Sequence, residues 1–418
     1  MKFKQILILS AIFYIFISSV TYHPDPVLPM LWTSLLKPWQ FNIYDFIVNN
    51  KLTMIVGMFN YNPFLLVLFK IQYFFAYLIS GAGYKDWINI PFLKESADYN
   101  IFKYIFATKL LLILLVFYCA WIIYKLVIQY SQNKIWAERV VLFWLINPIT
   151  IYSTAMIGQN DIFTLAFFLT GWLLLASNYW WSLLLFGLSI AIKNYPLVWT
   201  FILVSLTNFK KFYQKIFAYI IPVFIFVLTL LPFIKSEPFR KEIFNSALTE
   251  RLFVASIDMG FSDQVIIIPT LVIVLVIVAL FYAKKKLDLS QKSFLLMTSS
   301  LLILGFMHFH VQWFLWFMPF WSIWFTNSKT SKNLQEKILL SLVIFFGWVL
   351  VLLMFADQTL YFGMFSPVSL GFLSYPDFPY ILSHFGVDYI RIKNLGHSII
   401  AGVSLWMLIK SFNFKNEE

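Results

Sequence analysis

Residues 265–280 read VIIIPTLVIVLVIVAL, sixteen positions with no charge and no alternation of polar and apolar side chains. A lipid-spanning barrel strand alternates, because one face meets lipid and the other the lumen. A run apolar at nearly every position satisfies its backbone in lipid only as a helix. The rest of the chain agrees: 61% of its 418 residues are hydrophobic, 21% are aromatic and the mean hydropathy is +0.79. Many runs approach the roughly 20 residues needed to cross a bilayer. The expected fold is therefore an all-α polytopic membrane protein, with no loop large enough to bury a soluble core of its own. The net charge of +12 sits largely on lysines in loops beside spans, where cations orient helices and meet anionic lipid. No nucleic-acid-binding motif accompanies it, so nucleic acid is not an expected partner. The single Cys119 lies within a span and admits no intramolecular disulfide. Residues 6–20 follow Lys2 and Lys4 as a signal peptide would, but no small-residue cleavage site follows, so they read as an uncleaved first span.

Threading the chain requires two departures from one crossing per apolar run. A crossing at 64–79 places Lys125, Lys134 and Arg139 opposite the N-terminal lysines, against the positive-inside rule. Residues 22–103 are therefore expected outside, as a long first loop whose Pro63-led segment, carrying Lys70 and Gln72, lies in the interface or is re-entrant. The same parity problem arises at 181–206, which has Lys193, Asn194 and Pro196 at its centre. Two half-helices meeting there return the chain inside, and Pro196 supplies the break. The remaining crossings fall near 104–124, 140–156, 162–176, 216–234, 265–282, 294–307, 311–325, 338–355 and 397–410. That makes about twelve membrane segments, with both termini cytoplasmic. On this threading 17 of the 31 basic residues lie inside and 14 of the 19 acidic residues outside, so chemistry that needs polar groups belongs to the outer face.

Five groups of residues are candidates for that chemistry. Asp25, in Tyr22-His23-Pro24-Asp25-Pro26, is fixed between prolines just after the first span and can take a proton from a hydroxyl. Asp45 is its rival as base, although its amphipathic surroundings suit a solvated surface better. Gly158-Gln159-Asn160-Asp161 interrupts an apolar run with amides and a carboxylate, which can bind sugar hydroxyls or complete a metal site; Asn160 or Asp161 can also cap the helix that follows. Lys193 and Lys109 are cations at membrane depth, where a lipid phosphate is the available anion, and Lys109 can alternatively snorkel. His308-Phe309-His310-Val311-Gln312 lacks acidic or Cys neighbours, so it suggests contact with a phosphate rather than a metal. Trp313, Trp316 and Trp321 beside it are interfacial-belt residues or sugar-stacking platforms.

In order and spacing these features resemble the membrane-embedded glycosyltransferases of the GT-C fold, which use a polyprenyl-phosphate sugar as donor. The resemblance runs through Asp25, Tyr61-Asn62-Pro63, Asn147-Pro148, Gly158 to Asp161, Lys193-Asn194-Tyr195-Pro196-Leu197 and His308 to Gln312. Within that fold the chain is most similar to the branch of dolichyl-phosphate-glucose-dependent glucosyltransferases and related mannosyltransferase-like enzymes. That branch carries an Asp followed seven residues later by Trp in the first loop, as Asp25 and Trp32 are here. The resemblance implies that Asp25 is the general base, and that Lys193, Lys109, His308 and His310 contact the donor phosphate. It further implies that Gln159, Asn160, Asp161 and Gln312 line the substrate site. Two positions depart from the branch: Asn62 stands within an aromatic-Pro-Pro motif, and Gln312 stands where an acidic residue follows the second His.

The expected activity is inverting transfer of a hexose from a polyprenyl-phosphate donor to a lipid-linked or surface glycan. The site would face the periplasm of a prokaryotic cell membrane or the lumen of a eukaryotic ER membrane. No cofactor is called for, with a divalent cation left open at Asp161. The expected domain plan is one transmembrane unit, with residues 1–235 as catalytic module and 236–418 as a variable module. Two other classes fit the same composition. In a transporter or lipid flippase, Asp161 and Lys193 would be coupling charges. A polysaccharide polymerase or ligase with a diphosphate-linked donor would draw on Arg240, Arg251 and Arg391.

Overall fold

The computed structural model describes residues 3–89, 100–209, 211–245, 247–260, 263–285, 287–327 and 331–414. Of the cations counted inside, Lys2, Lys210, Lys286, Lys329 and Lys415 lie outside the described residues. Among the described residues seven helices are long and apolar enough to cross a membrane, including Phe3–Val20, Ile101–Ser131 and Leu289–Phe306; Lys134–Ile146 and Pro148–Met156 pass the same test only as a pair, bent by 51° at their break, and four apolar helices are shorter. The protein is an all-α, multi-pass integral membrane protein. Large side chains such as Ile8, Ile12 and Phe16 on the first helix, and Ile273 and Ile277 later, are exposed, and lipid is the solvent that tolerates them.

Proline placement shapes the interruptions. At Asn147-Pro148 the missing N–H ends one helix, and Asn147 Oδ1 accepts the Ile149 N–H at 2.9 Å to start the next. That piece closes as a π-helix over Tyr152–Met156, a wide turn often found at functional sites. At Lys193 the backbone is extended (φ −146°, ψ 148°), and Pro196 opens the next helix. The two short helices here, Tyr179–Ile192 and Pro196–Ser205, begin and end against the same neighbour. The Tyr179 hydroxyl donates to the Gln214 carbonyl, Ser205 Oγ lies 2.8 Å from the Tyr219 hydroxyl, and Lys215 Nζ reaches the Ser205 carbonyl at 3.5 Å. The chain therefore turns back at Lys193, as the charge argument requires.

The Pro63–Ser80 helix is unbroken over 18 residues. Lys103 Nζ donates to the Ser80 carbonyl at 3.1 Å, and Gln72 Nε2 to the Thr108 carbonyl at 2.8 Å. These pairings set it beside the start of the 31-residue Ile101–Ser131 helix, and the Pro63–Ser80 helix, expected as interfacial or re-entrant, is itself long and apolar enough to cross a membrane. Two details differ from the sequence expectation. Residues 311–317 form a 3-10 helix ahead of the Met318–Thr326 helix, where one continuous crossing over 311–325 was expected. The segment expected as loop at 236–264 contains an antiparallel hairpin of Ser256–Gly260 and Asp263–Ile266, with Ile257 opposite Val265.

The two halves of the chain interlock through buried polar contacts. Trp199 Nε1 donates to Ser300 Oγ at 2.9 Å, the Tyr22 N–H to the Met364 carbonyl at 2.7 Å, and the Tyr152 hydroxyl to the Leu360 carbonyl at 3.1 Å. The last two contacts lay the 3-10 turns at Gln358–Leu360 and Phe362–Phe365 over the point where the first helix ends and the π-helix begins.

Candidate active site

Asp25 stands at the start of the Pro24–Leu35 helix, whose N-cap is His23. The His23 Nδ1 accepts the Asp25 backbone N–H at 3.2 Å and lies 3.4 Å from Asp25 Oδ1. With Nδ1 accepting, the neutral ring carries its proton on Nε2, which is buried without a partner. Gln312 Nε2 donates to Asp25 Oδ2 at 3.0 Å across 287 positions of sequence. Gln312 thus fixes the carboxylate itself and His23 the backbone that carries it, while 31% of the side chain remains exposed. Sequence reasoning named Asp25 and Gln312 but missed His23, whose only signal was its position before the Pro24 helix start.

Gly158 turns the chain towards Asp25 at a left-handed φ of +82°. A Cβ at this position would stand 2.9 Å from Pro26 Cγ and 3.3 Å from Lys109 Cε, so both the dihedral and the close approach require glycine. Asn160 heads the Asp161–Leu174 helix with αR backbone and no side-chain capping bond. The capping role considered from sequence is therefore unused by Asn160 and by Asp161. Both polar atoms of Asn160 are buried without a hydrogen-bond partner, the buried Asp161 carboxylate faces Lys193 and Trp316, and Gln159 Oε1 accepts the Asn160 N–H. Unpartnered buried polar atoms in this number are uncommon in folded proteins and mark a site built for a ligand or water.

Lys193 answers Asp161 at 3.7 Å and lies 4.7 Å from the Tyr61 ring centroid. Burial, then the charges of Asp25 and Asp161, push the Tyr61 phenol upward, which keeps it in a protonated, donating form. Asn62 Nδ2 donates to Asn194 Oδ1 at 2.9 Å, so the two motif residues Asn62 and Asn194 hold each other. Tyr195 stacks on Trp316 at 3.9 Å, and Trp316 on Trp313 at 5.3 Å. This aromatic ladder, with Tyr195 Oη facing Thr164 and Trp316 Nε1 facing Asp161, went unread as a unit because Tyr195 lies 118 residues before Trp313.

A cavity of about 360 Å³ opens beside this group. Its polar end is formed by Asn60, Tyr61, Asn62, Lys193 and Asn194, and its wall by Leu252, Phe253, Ile268, Val272, Ile303 and Met307. Glu242 also lines it, its carboxyl pushed upward by burial.

His308 and His310 lie together, ring centroids 5.9 Å apart, and both imidazoles are pushed downward, first by burial and then by neighbouring charges that include Arg251 and Lys393. For His308 the value is about 4, so the ring is neutral at pH 7 and acts by hydrogen bonding rather than charge. Asp25 acts on His310 in the opposite sense.

Two candidates from the sequence are otherwise engaged. Lys109 is buried, and its ammonium donates to the Thr21 carbonyl at 2.6 Å, the Ala155 carbonyl at 3.1 Å and the Met156 carbonyl. It ties the end of the first helix to the π-helix, underneath Gly158. Asp45 accepts from Asn42 Nδ2 and from Ser236 Oγ, each at 2.6 Å, and so pins the Ile43–Asn49 helix to the cap of the Glu237–Phe244 helix. Among the described residues, no three His, Cys, Asp or Glu side chains converge as a metal-ligand set.

The arrangement is a fixed carboxylate open to a hydroxyl, a Lys–Asp pair with buried amides beside it, and an apolar cavity that begins at the lysine. Compared with known families, residues 59–307 match the model described as glycosyltransferase family 87. No curated protein and no solved structure matches the chain.

Proposed function

Because the chain belongs to glycosyltransferase family 87 and is a multi-pass membrane glycosyltransferase, we propose that it moves a hexose from a polyprenyl-phosphate donor to a glycan acceptor at the outer membrane face, in a GT-C-like manner. The observation that carries this reading is the placement of Lys193 at the polar end of an otherwise apolar cavity, on the same ring, Tyr61, that Asp25 and Asp161 both influence. An isoprenoid chain suits the apolar lining, its phosphate suits the ammonium, and the sugar then meets the buried polar groups of Asn160, Asp161, Tyr195 and Trp316.

In the proposed step Asp25 accepts the proton of an acceptor hydroxyl held beside it. That oxygen forms a bond to the anomeric carbon as the bond from that carbon to the phosphate oxygen breaks. The electron pair leaves with the polyprenyl phosphate, which Lys193 stabilises, and the anomeric configuration inverts. Gln312 holds the carboxylate in line, His23 holds the Asp25 backbone N–H, and Lys109 holds the segments that carry Asp25 and Gly158.

Asp25→Asn keeps the shape and removes the base. Transfer from a polyprenyl-phosphate hexose by the protein in detergent, without any ion gradient, should fall by about 10²–10⁴-fold in kcat, whereas Asp45→Asn retains activity. Full activity of Asp25→Asn removes Asp25 from this role. Transport of a substrate with no transfer, in the wild type, favours the transporter class instead.

A further inference from the structure

Between Arg251 and Lys284 the chain carries no lysine or arginine, and this stretch contains the hairpin of Ser256–Gly260 and Asp263–Ile266. Residues directly opposite each other on an antiparallel pair share a face, and successive residues alternate between faces. Ile257 and Val265, which pair, therefore form one face, while the next pair, Asp258 and Gln264, forms the other. Both apolar side chains are exposed, at 56% and 39%, and so are Phe253, Val254 and Met259 around them. A two-stranded hairpin with no core of its own is marginal in water. An exposed apolar patch backed by a polar face marks a surface that an apolar partner covers.

The place where the hairpin is tied identifies that partner. The Ile267 N–H donates to the Ala255 carbonyl at 2.9 Å, so the hairpin closes directly onto the Ile267–Phe281 helix, which exposes Ile273 and Ile277 to lipid. That helix and the Tyr282–Lys284 turn after it rise together by about 28 Å, close to the roughly 30 Å of a hydrocarbon core. The hairpin therefore stands at the leaflet boundary, and its apolar side chains extend the lipid-facing surface of the helix. Asp258 and Asp263 oppose anionic headgroups, so the attraction is apolar rather than electrostatic. The chain entering the hairpin supplies Leu252 and Phe253 to the cavity beside Lys193, and the chain leaving it supplies Ile268, Pro269 and Val272. We propose that the hairpin is seated in the leaflet on the side of the site, with Ile257 and Val265 in the acyl boundary, and that this seating clasps the two sides of the cavity around the isoprenoid chain of the donor. The partner is bilayer lipid, zwitterionic as readily as anionic. The clasp rests on the donor reading above, whereas the seating in lipid stands without it.

The test uses the full-length protein in nanodiscs, where the burial of Cys119 leaves added thiols as the sites of labelling. A fluorophore on Ile257→Cys should be quenched by phospholipid carrying a nitroxide high on its acyl chain, and one on Gln264→Cys by aqueous iodide instead. Phosphatidylcholine and phosphatidylglycerol nanodiscs should quench the Ile257 label equally. Equal quenching of the two labels by either quencher overturns the seating, as does quenching confined to the anionic lipid. An Ile257 label shielded from both quenchers also overturns it, by assigning the face to a protein partner. For the clasp, Ile257→Asp/Val265→Asp should weaken calorimetric binding of farnesyl monophosphate by about tenfold, and the milder Ile257→Ser should act in the same direction, whereas Gln264→Ser leaves binding unchanged. Unchanged thermal unfolding of each variant separates a lost contact from a lost fold. Wild-type affinity in both Ile257 variants overturns the clasp. Failure of the wild type to bind farnesyl phosphate strikes the donor reading itself, while the two labels still decide the seating.

Discussion

At the scale of single residues, the chemistry depends on what neighbours do to a few polar groups. Gln312 departs from the acidic residue expected after the second His, and the structure gives the departure a use. Its amide donates to Asp25, where a carboxylate would oppose the Asp25 charge. His308 supplies a pH dependence. Partial burial, then Lys393 and Arg251, lower its imidazole from the usual 6.5 to about 4, so between those values the unfolded chain holds a proton that the folded chain does not. Stability is therefore complete above about 6.5 and falls as the pH drops towards 4. Thermal unfolding across that range should show a shallower loss in His308→Gln than in wild type; identical slopes contradict the assignment. Asp25, Lys193 and the two histidines could be named from sequence because isolated polar groups at membrane depth stand out. His23, Arg251 and Lys393 could not, since their role arises from contacts made by distant segments.

At the scale of elements, broken helices position the site. The Asp161–Leu174 and Tyr179–Ile192 helices pack so closely that a Cβ on Gly171 would come 2.8 Å from Phe186 Cδ1 and 3.2 Å from the Ser182 carbonyl. Gly171→Ala should therefore separate the pair and lower stability by about 1–3 kcal/mol. Because Asp161 begins one helix and Lys193 ends the other, activity should fall as well, whereas stability and activity equal to wild type would show that the contact gives way freely. The break at Lys193 was legible from sequence because proline and charge parity both require it. The π-helix at Tyr152–Met156 and the 3-10 turn at Val311–Phe317 were not, because side chains of ordinary α-helical propensity occupy both and tertiary packing sets the winding.

At the scale of the whole molecule, the returning pair of half-helices decides which loops share a side. The buried Cys119 leaves little native thiol to label, so added cysteines report sidedness directly. With the turn at Lys193, Asn133→Cys and Ser369→Cys, both at exposed positions, should react from opposite faces of the membrane, with Ser369→Cys labelled from outside intact cells. Reaction of both from one face would mean that residues 179–205 cross fully, and it would dissolve the argument that gathers the acidic loops on one side.

The sequence by itself determined that the chain is a helical membrane protein, that one helix pair breaks at Lys193 to Pro196, and which few polar residues sit too deep to be incidental. Hydrophobic run length, proline and the cost of charge in lipid are local properties, readable one segment at a time. Only the tertiary structure decided that Gln312 steadies Asp25, that Lys109 and Asp45 are tied to the scaffold, and that Tyr195 stacks on Trp316. Those facts come from contacts between residues as far as 287 positions apart, and in a helix bundle such pairings depend on how helix faces turn towards one another, which no single segment specifies.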